Sequence, residues 1–143
     1  MRIGPLPENT QTALADDDRD NHLIMYAVVR RDLDMPPGKL SAQAGHAYTA
    51  SLFECIDQNP AHARRYRLGL NGGSKVTLYC RNEREIRELE ERCRMAGVPH
   101  ALFTDEGHVL LPHFDGSPVV TALGIGPLPR ADAKALVKKF KCV

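Results

Sequence analysis

Pro36-Pro37-Gly38-Lys39-Leu40-Ser41-Ala42-Gln43-Ala44-Gly45-His46-Ala47 follows the apolar run Leu23-Ile24-Met25-Tyr26-Ala27-Val28-Val29 and a charged turn, Arg30-Arg31-Asp32. The run reads as a buried strand, and the Pro-Pro step reads as a stiff entry into a helix. Lys39 then falls in the first helical turn. The start of a helix carries partial positive charge and unpaired N–H groups, so a lysine there opposes the dipole and builds a site for an anion. Gln43 and His46 stand four and seven residues on, close to the Lys39 face. These three polar residues at a strand–loop–helix mouth read as a site. Leu40, Ala44, Ala47, Ser51, Leu52 and Cys55 form the apolar stripe of the same helix, over residues 38–57.

Downstream, Asn59-Pro60 interrupts the helix, and residues 61–68 read as a short second helix carrying Arg64, Arg65 and Arg67. Asn71-Gly72-Gly73 is a turn. Val76, Leu78 and Cys80 alternate with Lys75, Thr77 and Tyr79, as in a strand with one buried face. Asn82 and Glu85 give a capping-box-like start to a helix lined by Ile86, Leu89, Cys93 and Ala96 and closed by Gly97. Residues 98–104 and 119–125 read as strands, residues 108–117 as a loop or bent extension, and residues 131–140 as a last helix. This alternation predicts an α/β fold, a three-layer α/β/α domain over residues 22–143 with a four-stranded mixed sheet.

The 143 residues are enough for one domain with a real core, and 43% hydrophobic with 26% charged residues is a globular balance. The longest apolar run is too short to cross a bilayer, and the N-terminus lacks the pattern of a signal peptide. A cytoplasmic protein without a membrane partner is expected. Cys55, Cys80, Cys93 and Cys142 are scattered with no C-x-x-C pair, which argues against a zinc site or redox motif and for reduced thiols. His108 and His113 lack thiol or carboxylate partners at ligand spacing, so no metal is expected, and both read as packed histidines. Residues 1–21, with Asp16-Asp17-Asp18 and few large apolar side chains, read as a disordered or loosely held acidic arm. Residues 1–22 hold five acidic and two basic residues, net −3, and the remainder holds 17 basic and 13 acidic, net +4. A mildly basic domain is compatible with a polyanionic partner.

The order of elements and the residues at their ends resemble the type II peptidyl-tRNA hydrolases, the archaeal and eukaryotic class. The matching pieces are the opening Val28-Val29-Arg30-Arg31-Asp32-Leu33-Asp34-Met35, then Gly38-Lys39, Ala42-Gln43 and His46-Ala47. Lys75-Val76, Gly97-Val98-Pro99, the Asp105-x-Gly107 corner and Thr121-Ala122-Leu123-Gly124-Ile125-Gly126-Pro127 follow in order. The resemblance covers roughly residues 23–143. It implies hydrolysis of the ester between a peptide and the terminal adenosine of tRNA without metal or cofactor, tRNA as partner, and homodimers. By matching position it implies roles for Lys39, Gln43, Asp105 and Thr121, with His46 supporting them. The chain departs from the family pattern after Gly107, where His108-Val109-Leu110-Leu111 stands in place of Arg-Thr-Gln-Ile.

Ester hydrolysis needs a positioned water, a group to orient or take its proton, and a donor for the developing oxyanion. Asp105 facing Lys39 fits the first two needs, and Lys39 fits the third. Plainer readings stand beside these. Lys39 reads equally as a solvated lysine, Asp105 as a turn-former before glycine, Thr121 as a strand-former, and His46 as a packed histidine. Arg64, Arg65 and Arg67 read either as contacts to tRNA phosphates or as a solvated helix face. The alternative function is a catalytically inactive tRNA- or RNA-binding domain, or a regulatory interaction domain, of the same fold.

Overall fold

A computed structural model describes residues 22–143, and the arm read at residues 1–21 lies outside the described residues. β1 (Leu23–Arg30) is buried almost throughout and forms the middle of a five-stranded sheet. The chain leaves it through a single 3₁₀ turn and enters α1 (Pro37–Gln58), with Pro36 as the cap and Pro37 at the first helical position. Pro37 has no N–H to leave unpaired there, which is why this step starts a helix. Asn59 ends α1 and caps α2 (Pro60–Arg67), its side chain accepting from the backbone N–H of His62.

β2 (Ser74–Cys80) lies parallel to β1, and α3 (Glu83–Ala96) follows. The Asn82 side chain accepts from the N–H of Glu85, as expected, but the Glu85 carboxylate turns back to the N–H of Arg81. The reciprocal half of the capping box is therefore displaced by one residue. Gly97 closes the helix at φ 68°, with its own N–H on Arg94 and that of Val98 on Cys93. That pairing is the Schellman arrangement, which a residue with a Cβ adopts only under strain.

β3 (His100–Asp105) and β6 (Val119–Pro129) run antiparallel to each other, and β6 also lies antiparallel to β1. Between them β4 (Val109–Leu110) and β5 (Phe114–Asp115) form a small hairpin where a loop or bent extension was expected. α4 (Arg130–Val137) then leads to β7 (Lys141–Cys142), which pairs antiparallel with Leu78 and Tyr79 of β2. The mixed sheet thus has the order β3-β6-β1-β2-β7, five strands instead of four. The extra strand comes from a helix that ends at Val137, not Phe140, and two residues are too few to show an alternating pattern.

Alternate residues of β1 enter different clusters. Ile24, Tyr26 and Val28 meet Ile86, Leu89 and Cys93 of α3 and Leu136 and Val137 of α4, whereas Ala27 and Val29 meet Ala44 and Ala47 of α1. Two details fix the α1 side. A Cβ on Gly124 of β6 would lie 2.0 Å from the carbonyl oxygen of Ala47, so glycine is what lets helix and strand approach so closely. Near its start β6 also carries a bulge: Phe103 is opposite Ala122, but Thr104 is opposite Val120, leaving Thr121 without a partner in β3. An extra residue in one strand breaks the two-residue alternation. Val120 packs in the α3/α4 cluster, and both Thr121 and Ala122 face α1.

Candidate active site

The bulge, the first turns of α1 and the end of β3 converge on one polar cluster. Lys39 reaches across from α1 to the last residue of β3, its Nζ donating to Asp105 Oδ2 at 3.1 Å. Gln43, one turn further along α1, donates from Nε2 to Asp105 Oδ1 at 3.4 Å. Its other end, Oε1, accepts from the Thr121 hydroxyl at 2.5 Å. The hydrogen bonds therefore run in one direction, from Thr121 through Gln43 to the carboxylate, which also accepts from the ammonium. An amide has both a donor and an acceptor end, and glutamine at this place uses both.

Burial is graded along this chain. Thr121 is fully buried and Gln43 is 4% exposed, while the side chains of Lys39 and Asp105 retain 8% and 16%. The ion pair thus forms the solvent-facing end of a network anchored in the core. A hydrogen-bonded ion pair in this setting is far less screened than one on the surface. Arg30 secures the anchor: one of its nitrogens donates to the Val120 carbonyl at 2.8 Å, next to the bulge, and its other nitrogens hold Asp32.

Of the residues singled out from sequence, the structure brings together Lys39, Gln43, Asp105 and Thr121. His46 is exposed and stacks on Phe103 with ring centroids 4.6 Å apart, beside the cluster and outside its hydrogen-bond chain. It is not the packed histidine that the helix pattern suggested. Arg64, Arg65 and Arg67 lie on α2, the helix that follows α1 and packs beside it. Leu52 and Ile56 of α1, which share a cleft with Arg64 and Arg67, stand about 20–25 Å along the helix from Lys39. Arg64 and Arg67 border a cleft of about 280 Å³ floored by Leu52, Ile56 and Tyr66 and edged by Lys75.

Two further residues belong to the cluster and were missed. His108, read as a packed histidine, is exposed, and its Nδ1 lies 2.5 Å from Lys39 Nζ. Phe114 is buried and presents its ring to the same ammonium, 4.1 Å from the centroid. Both sit on the β4–β5 hairpin or its approach, and no periodic signal in so short a hairpin foretells which side chains turn inward. His113 is exposed and forms no part of the cluster. Among the described residues, no three His, Cys, Asp or Glu side chains converge as metal ligands.

The family model described as peptidyl-tRNA hydrolase PTH2 matches residues 23–143. A peptidyl-tRNA hydrolase of Halobacterium salinarum is 39% identical over 103 residues, which cover 72% of this chain and 84% of that protein. One from Methanocaldococcus jannaschii is 31% identical with the same coverage. Peptidyl-tRNA hydrolase 2 of Saccharomyces cerevisiae is 36% identical over 112 residues, 75% of this chain and 51% of the yeast protein. The matched span holds every element of the fold and every member of the polar cluster, and on that ground the chain belongs to the PTH2 peptidyl-tRNA hydrolase family.

Proposed function

We propose that the protein hydrolyses the ester bond of peptidyl-tRNA, or of a related N-blocked aminoacyl-tRNA, releasing tRNA and the acyl group. Family membership supports the reaction, and the observation that carries the assignment of residues is the joined chain Lys39–Asp105–Gln43–Thr121. An ammonium has three N–H donors, and two of those of Lys39 are directed at Asp105 and His108, leaving one for substrate. That donor suits the oxyanion formed when water adds to the ester carbonyl. Asp105, at the exposed end of the chain, accepts a hydrogen bond from the attacking water, takes its proton, and returns it to the ribose oxygen as the tetrahedral intermediate collapses and the ester C–O bond breaks. Gln43 and Thr121 hold the carboxylate in register, and His46 supports the wall of the site through Phe103.

Arg64, Arg65 and Arg67 are the proposed contacts for tRNA phosphates remote from the reacting end. We further propose that the helices cover the sheet in a three-layer arrangement, and that the protein is a cytoplasmic homodimer. The exposed apolar Val109 and Leu111 beside the site are suited to a dimer contact, and four free thiols suit a reducing compartment. The chemistry is tested with labelled N-acetylaminoacyl-tRNA and the purified full chain in the presence of EDTA. Turnover that drops by roughly 10²-fold or more in Lys39→Ala and in Asp105→Asn is expected, the scale seen when an oxyanion donor or a base is removed. Wild-type turnover in both variants would refute the assigned roles.

A further inference from the structure

We infer that His108 is a positioning residue that holds the Lys39 ammonium in place and makes the site lose activity in acid; this deepens the hydrolase reading and rests on it. Lysine ammonium can only donate, so the 2.5 Å contact requires His108 Nδ1 to be the acceptor. The neutral imidazole must then carry its hydrogen on Nε2. His108 holds one side of Lys39, Asp105 another, and the Phe114 ring lies beneath. With these three partners the long, flexible lysine has a defined direction for its remaining N–H.

The same contact is sensitive to protonation. A second proton on His108 occupies Nδ1, removes the acceptor and places two cations in contact, so Lys39 is driven out of position. The charged groups about His108 are Lys39 from α1 and Asp105 from β3, which is already committed to Lys39 and Gln43. Glu106, His113 and Asp115 lie on the same hairpin or its flanks, and Asp115 accepts from Ser117. None of these three is hydrogen-bonded to the imidazole. Asparagine can place its Oδ1 where Nδ1 now lies, and it does not titrate.

The test measures kcat and KM for N-acetylaminoacyl-tRNA across about pH 5 to 8, the window in which imidazoles as a class change charge. It compares wild type, His108→Asn and His108→Ala. His108→Ala should lower kcat at neutral pH by roughly tenfold with little change in KM, the scale for a lost hydrogen bond to a charged group. His108→Asn should recover most of that loss and flatten the acid side of the profile. Wild-type kcat in His108→Ala with an unchanged acid limb would overturn the proposal. So would nitrogen NMR of the wild type placing the imidazole hydrogen on Nδ1 at neutral pH. Should the wild type show no turnover at any pH, the hydrolase reading fails. The tautomer, recorded with and without Lys39→Ala, still decides the lysine–histidine contact, which is refuted if that substitution leaves the spectrum unchanged.

Discussion

Gly124→Ala is a test of the whole construction, because it touches neither substrate nor any member of the polar cluster. The added Cβ would meet the Ala47 carbonyl oxygen at 2.0 Å, its carbon at 2.7 Å and the Ser51 Cβ at 2.9 Å. The first two are backbone atoms on the buried face of α1 and have no rotamer to yield. Ordinary contact begins at 3.4 Å, so α1 must retreat from β6 by roughly 1.4 Å. Lys39 and Gln43 ride on α1 and Thr121 on β6, so the Thr121–Gln43 bond stretches from 2.5 Å toward the limit of a hydrogen bond. Overpacking of this kind costs about 1–3 kcal/mol, offset by about 0.4–1 kcal/mol from the stiffer unfolded chain. The net loss of about 1–2 kcal/mol lowers Tm by roughly 3–6 °C in a chain of this size. Displacement of catalytic groups by about 1 Å costs on the order of 10²-fold in rate. Thermal unfolding followed by circular dichroism, together with single-turnover hydrolysis at saturating enzyme, measures both. A variant with wild-type Tm and rate would show that the close contact of Ala47 and Gly124 does not set the geometry of the site.

Thr121→Val keeps the shape of a fully buried side chain but leaves Gln43 Oε1 without its donor; a loss of about 1–3 kcal/mol is expected in urea unfolding, together with a lower kcat. Burial alone would raise the Glu85 carboxyl, but the Arg81 N–H, the Arg81 guanidinium and Lys139 outweigh it and hold the group below its ordinary 4.5. Its stabilisation is therefore present above 4.5 and disappears as pH falls through the lowered native value, because the unfolded chain takes up the proton first. The urea midpoint of the wild type should fall more steeply between neutral and acid pH than that of Glu85→Gln. Burial pushes the Cys80 and Cys93 thiols up to about 12, and Cys55 is also buried and raised. A thiol reagent at neutral pH should therefore modify one group per native chain, Cys142, and all four only after unfolding.

Much of this architecture can be read from the chain because each main element is specified locally. The run from Leu23 to Val29 is apolar without interruption, Asn82 and Gly97 mark both ends of α3, and Pro36-Pro37 admits only a helix that begins there. Lys39 and Gln43 were legible because four residues of helix put them on one face. Asp105 was legible only by its corner before Gly107, and its meeting with Lys39 depends on tertiary packing. The parts that were not legible are those too short to carry a period: β7, and the hairpin that delivers His108 and Phe114 to the ammonium. His46 was misread for a different reason. The apolar stripe on either side suggested burial, but its position on the rim of α1 leaves the ring exposed against Phe103.

The bulge at Thr121 puts β6 in two phases. From Ala122 onward, even-numbered residues up to Gly124 face α1; ahead of Thr121, the even-numbered Val120 faces the opposite cluster. A deletion of one residue here would mend the pleat and spoil the protein. It would either rotate the Thr121 hydroxyl into the hydrocarbon between the sheet and α3 or, if Thr121 itself is lost, leave Val119 and Val120 on their present sides and take away the donor that holds Gln43. Insertions are barred by the same count. Length at this point of the chain is thus as strictly determined as residue type, although a one-residue irregularity in a strand would ordinarily pass for a tolerable defect.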